Sequence, residues 1–177
     1  MQWPSKPNRE AFEIAGFIGA YARLPEQQRF EVVSKQESPD YIVRDPGSGQ
    51  EYGVELTSVY LDDRSVPDVH MKEAKGLTDI PYDQEAIEQY TKRIVGAVME
   101  KVCKAKKGYD SRRPLILSIY VNEYISIYFG KEELEAFIRR YEGVFDSVSP
   151  FAEVVFWNLG NGGVFRVRPE QNAPGRT

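Results

Sequence analysis

Asp40 and Glu55 are the residues whose placement in this chain points most directly to chemistry. Asp40 lies in the run Ser38-Pro39-Asp40-Tyr41-Ile42-Val43-Arg44-Asp45, and Glu55 in Tyr52-Gly53-Val54-Glu55-Leu56-Thr57. Both runs read as strands. The segment Asp45-Pro46-Gly47-Ser48-Gly49 between them is rich in residues that favour a reversal. A turn centred near Gly47 and Ser48 sets Asp40 opposite Glu55. Alternation then puts Val54 and Leu56 on one face of the sheet and Gly53, Glu55 and Thr57 on the other. Two carboxylates facing each other across a strand pair repel, at a cost of roughly 0.2–1 kcal/mol. Their simplest use is to hold a cation between them.

The elements that must position this pair follow from the hydrophobic periodicity. Asn8 is expected to cap a helix over about Arg9 to Tyr21 or Arg23, with the apolar stripe Ile14, Phe17, Ile18 and Tyr21 and an exit at Pro25. Phe30 to Lys35 reads as a first strand, and the hairpin supplies the second and third. The polar segment from Leu61 to Pro81 is long for a connection, as functional lids and insertions tend to be. Helical period returns from about Asp83 to Lys107, with Ile87, Tyr90, Ile94, Ala97, Val98 and Val102 as one stripe, and Gly108 stops it. Pro114 to Val121 is nearly continuous apolar, the pattern of a central strand covered on both faces. A shorter helix is expected over Lys131 to Tyr141. Two final strands, Ala152 to Trp157 and Val164 to Val167, are joined by a Gly160-Asn161-Gly162-Gly163 turn. The tail from Glu170 to Thr177 is expected to fray. An antiparallel meander followed by a helical crossover makes an α/β protein with a mixed central sheet and flanking helices.

The bulk properties set limits. At 177 residues and 41% hydrophobic content, the chain is expected to be one domain spanning 1–177, with enough apolar residues for a core. A net charge of -4 argues against a generally basic, nucleic-acid-coating protein but leaves room for a local positive groove. Cys103 is the one cysteine, which fits a reducing setting. No apolar run approaches the roughly 18 residues needed to span a bilayer, and Met1 to Pro7 lacks a signal core. A soluble, cytoplasmic protein without a membrane partner is expected.

The element order and the hairpin carboxylates together resemble the PD-(D/E)XK nuclease superfamily, the restriction-endonuclease-like fold. The matching residues are Pro39-Asp40 followed by Glu55-Leu56-Thr57, inside an α-β-β-β-α-β core over about 9–121 that carries a C-terminal helix and β-hairpin. The resemblance implies a divalent-metal-dependent nuclease that hydrolyses the phosphodiester bonds of nucleic acid, DNA ahead of RNA. It implies magnesium or manganese held by Asp40, Glu55 and the Leu56 carbonyl. Hard cations prefer such oxygen donors, and a cation both neutralises phosphate charge and activates water. It further implies an acidic residue from the first helix, Glu10 with Glu13 next in line. A homodimer is compatible with it, because many restriction-type enzymes pair to cut two strands.

The departure from the family pattern is Thr57, which stands where the motif has lysine. A threonine hydroxyl orients a water but supplies no positive charge. Relatives that lack this lysine commonly take one from the helix after the third strand, which nominates Lys92, with Gln89 as a polar version and Lys35 as a second source. Without such a replacement, the fold would serve as a catalytically inactive binding or regulatory module. Each candidate also has a plainer role: turn chemistry for Asp40, favourable interaction with the helix dipole for Glu10, and a solvated helix position for Lys92. The single histidine, His70 beside Asp68, has no identifiable partners. The basic run Lys101, Lys104, Lys106, Lys107, Arg112 and Arg113 reads as a solvated helix end, though it could contact phosphates. Cys103 reads as packed.

Overall fold

The first helix begins earlier than the Asn8 cap suggests, and Pro7 is the reason. In the computed structural model, which describes residues 5–25, 27, 29–59, 84–109, 112–121 and 131–169, helix α1 spans Lys6–Tyr21. Ser5 takes the N-cap position and Pro7 falls in the first turn, where its missing N–H removes no helical hydrogen bond. The remaining elements are β1 (Glu31–Lys35), β2 (Tyr41–Arg44), β3 (Glu51–Val59), α2 (Gln84–Gly108), β4 (Leu115–Val121), α3 (Lys131–Arg140), α4 (Glu142–Phe145), β5 (Phe151–Leu159) and β6 (Gly163–Val167). The one-turn α4 has no counterpart in the sequence reading, and the Gly160–Gly162 turn is a 3-10 turn. The expected loop over 61–81, with His70, and the tail from 170 lie outside the described residues.

The six strands form one mixed sheet whose spatial order is the chain order. β1, β2 and β3 are antiparallel neighbours, β3, β4 and β5 are parallel, and β6 returns antiparallel to β5. Each parallel step needs a crossover. The segment with α2 makes the first, from β3 to β4, and the segment with α3 and α4 makes the second. All seven residues of β4 are buried, as its uninterrupted apolar run requires of a strand covered on both faces. None of the described helices is long and apolar enough to cross a membrane.

Alternation divides the core in two. On one face, Ile14, Phe17, Ile18 and Tyr21 of α1 pack on Val43, Val54, Leu56, Ile116, Tyr120, Val155 and Trp157. The approach is close: a Cβ on Gly16 would lie 2.5 Å from the Trp157 ring. On the other face, Tyr90, Ile94, Val98 and Val102 of α2 cover Leu115, Leu117, Ile119 and Val121. Leu134, Phe137 and Phe145 complete that layer. Cys103 falls on the outward side of α2 and is exposed, contrary to the packed position expected of it, because the buried stripe passes through Val102 and Ala105 instead.

Candidate functional site

The hairpin has the register its sequence suggests. Tyr41 faces Val54 and Arg44 faces Glu51, which sets Asp40 across from Glu55. Asp45 closes the turn by accepting the Gly47 amide and the Ser48 hydroxyl at 2.9 and 2.7 Å. β2 begins only at Tyr41, opposite Val54, whereas β3 continues to Val59. Past Val54, no strand among the described residues covers β3 on that side, although β4 pairs with its other edge as far as Val59. A cleft of about 270 Å³ lies here, lined by Lys6, Arg9, Glu10, Glu13, Asp40, Leu56, Thr57, Ser58, Lys101 and Lys104.

Asp40 fills the place the missing strand would take. Its Oδ2 accepts the Leu56 amide at 2.8 Å, so a backbone donor freed by the end of β2 keeps a partner. The N–H and C=O of one strand residue leave by the same edge, so the Leu56 carbonyl also leaves on the Asp40 side. Gly53 fixes the approach. A Cβ there would lie 2.6 Å from Pro39 Cγ and 2.7 Å from Leu115 Cδ2, and only glycine lets Pro39 close over the strand just before Asp40. Burial, and then the charge of Glu55, push the Asp40 carboxyl above its ordinary pKa, against the Leu56 amide and Lys101, which pull it down.

Glu55 is fully buried on the α2 face. Its Oε1 accepts Lys101 Nζ at 2.7 Å and lies 3.4 Å from Lys104 Nζ. Among the described residues its buried Oε2 and the buried Tyr109 hydroxyl have no hydrogen-bond partner, yet the two side chains lie close enough to interact. Burial and the interaction with Glu55 together push the Tyr109 pKa up. Lys104 lies 5.8 Å from the centre of the Tyr109 ring.

Helix α1 supplies the opposite wall. Glu10 sits 2.6 Å from Lys35 Nζ and 3.5 Å from Lys6 Nζ. Burial opposes its ionisation, but the two ammonium groups outweigh that and hold its pKa below the ordinary value. Glu13 lies deeper and accepts the Ser58 hydroxyl. Burial pushes its pKa up, only partly offset by Ser58 and Arg9. Arg9 lines the same cleft, with a buried Nε that has no hydrogen-bond partner among the described residues.

Asp40, Leu56, Thr57 and Glu10 therefore line one cleft, with Glu55 buried behind Lys101. Lys92 does not reach it. That side chain is exposed and pairs with Glu88 at 3.6 Å, while Gln89 turns to Glu85 and Lys35 to Glu10. The lysines at Glu55 are Lys101 and Lys104, which the sequence reading left in a solvated basic run. Nine residues separate Lys92 from Lys101, two and a half helical turns, so they project from opposite sides of α2. The available signal was spacing: Lys101 stands three residues after Val98 and seven after Ile94, at the border of the buried stripe.

The donor atoms suit a hard cation in type. Asp40, the Leu56 carbonyl and Glu55 Oε2 all offer oxygen. Among the described residues, no group of three or more His, Cys, Asp or Glu side chains is arranged to hold a metal ion. A cation here would thus draw on a carboxylate pair and the backbone. Comparison with protein-family models, with curated proteins and with solved structures finds no match to this chain.

Proposed function

We propose that this cleft hydrolyses phosphodiester bonds of nucleic acid, DNA ahead of RNA, with a divalent cation such as magnesium or manganese. The observation that carries the reading is the meeting of Asp40, the Leu56 backbone and the Lys101–Glu55 pair where β2 stops and β3 runs on. The order of elements through β4 supports it by resemblance to the restriction-endonuclease-like core. Asp40, Glu55 and the Leu56 carbonyl would hold the cation. When bound, it would neutralise phosphate charge and acidify a water.

The chain's own groups have distinct parts in this reading. Asp40 spends one oxygen on the Leu56 amide, which fixes its carboxylate at the mouth of the cleft. The Lys101 ammonium replaces the charge that Thr57 lacks, and offers it to the phosphate or to the attacking oxygen as charge develops there. Lys104 is a second cation within 3.4 Å of the same carboxylate. The Thr57 hydroxyl lines the cleft and orients water. Lys6 and Arg9, on the α1 wall, hold the phosphates on either side.

The test is cleavage of labelled single- and double-stranded DNA and RNA with magnesium or manganese. D40A and K101A are expected to lower the rate at least about 100-fold each, the scale of losing a charged transition-state partner. Cleavage by D40A at the wild-type rate would remove the assignment. One observation favours a second reading, an inactive binding module: Glu55 is already neutralised by two lysines. Calorimetric titration separates the two. Absence of heat at millimolar manganese, together with absence of cleavage, selects the module.

A further inference from the structure

Phe12 is the most exposed aromatic side chain of the described core, at 47%. Its neighbours tie it to the cleft from two directions. On α1, Arg9 and Glu13 line the cleft, and Phe12 stands three residues after the first and one before the second. Residues three apart on a helix are side by side, about 5–6 Å between Cβ atoms. Across the sheet, the Phe12 ring meets Tyr120 edge-on, with centroids 6.2 Å apart. Tyr120 is the register partner of Ser58, another cleft residue and the donor to Glu13. Phe12 therefore stands beside the cleft, next to its lining residues Arg9, Glu13 and Ser58.

Tyr120 packs perpendicular to this ring and is itself held by Trp157, at 4.8 Å between centroids. Phe12 thus has a packed base, and nearly half of its surface is exposed. Beside it, Arg9 lines the cleft, and its Nε has no hydrogen-bond partner among the described residues. An anionic acceptor in the cleft would pair with this guanidinium, and a flat apolar group would cover the ring. A nucleotide carries both, a phosphate and a base joined through one sugar. A base in a duplex is stacked on both faces and has none to offer, whereas an unpaired base does.

Resting on the phosphodiesterase reading, we propose that Phe12 stacks an unpaired nucleobase whose phosphate sits on Arg9, so that the cleft takes single-stranded nucleic acid. Phe12 sets the substrate class, and the carboxylates and Lys101 act on the bond.

The experiment is fluorescence anisotropy in EDTA at low salt, which reads binding without cleavage. The probes are a labelled single-stranded oligonucleotide, its duplex, and an abasic strand of equal length. Wild type is expected to bind the base-bearing strand roughly 5- to 150-fold more tightly than the abasic one, the range of a single base–aromatic stack. F12A should lose this difference and keep the abasic affinity, and F12W should restore it. Phe12 is half-exposed, so circular dichroism of F12A should match wild type. Equal binding of base-bearing and abasic strands, or a preference that survives F12A, overturns the proposal and leaves the phosphodiesterase reading standing. Wild-type protein that binds none of the probes and cleaves no nucleic acid overturns both.

Discussion

Lys101 Nζ lies 2.7 Å from Glu55 Oε1, across 46 residues of chain. The pair joins the end of α2 to the middle of β3. It also brings a cation to a carboxylate that has no solvent exposure. A buried carboxylate is tolerated only with such compensation.

Removing the cation should therefore cost more than a surface lysine would. K101M is expected to lower unfolding free energy by about 1–3 kcal/mol. This is less than the roughly 3–5 kcal/mol of a fully enclosed broken pair, because Lys101 is partly exposed and Lys104 remains. Urea denaturation of K101M, E55Q and the double variant gives the coupling. A value near zero would show that the two groups do not stabilise each other in solution.

Asp40 has a structural duty separable from its proposed catalytic one. D40A leaves the Leu56 amide without its acceptor and should lose about 1–3 kcal/mol, whereas D40N keeps an acceptor oxygen and most of the stability. Both should be inactive. Hydrogen exchange at the Leu56 amide, fast in D40A and slow in D40N, reads the bond directly. Slow exchange in both would contradict it.

Glu13 sets a stability change with a defined sign. Burial raises its folded pKa above the unfolded value of 4.5. Between those two values the folded state binds more protons, so stability falls as pH rises through the folded pKa. Neutral E13Q escapes that loss and still accepts the Ser58 hydroxyl. It should raise Tm near neutral pH, at roughly 2–4 °C per kcal/mol in a domain of this size. The gain should vanish once pH drops below the unfolded value. A Tm difference that is the same across the acid range would rule out Glu13 titration as its source.

Gly53 should tolerate no side chain. The Cβ of G53A would press on Pro39 and Leu115 at 2.6 and 2.7 Å, costing about 1–3 kcal/mol and displacing Asp40. Manganese calorimetry on G53A, compared with a conservative core variant such as V98A of equal or lower stability, checks the displacement. Only G53A should lose affinity.

These sites differ in how readily the sequence disclosed them. The pairing of Asp40 with Glu55 was legible because a short reversal and strict alternation leave one register that buries Val54 and Leu56. The mixed sheet with β4 at its centre was legible for a similar reason, since β4 has no polar face to give to water, whereas the joining of the terminal hairpin to that sheet was not. Lys101 was missed because a lysine's charge favours a solvated position unless its phase on the helix is weighed. Val98 and Ile94 fix that phase, and their spacing sets Lys101 at the border of the core. Cys103 failed in the opposite sense: its apolar character suggested packing, yet one residue past Val102 the helix has turned outward. The α1 start at Lys6 depended on weighing Pro7 as a first-turn residue against Asn8 as a cap.

The early end of β2 has a consequence beyond chemistry. Stretches of strand with unpaired amides are templates on which foreign chains add, and the β3 segment past Val54 is such a stretch among the described residues. Asp40 occupies its Leu56 amide, and ammonium and carboxylate groups crowd the approach. The charged groups proposed to receive a phosphate at this edge thus also guard it against self-association. Variants that strip them for mechanistic study should be watched for aggregation as closely as for lost turnover.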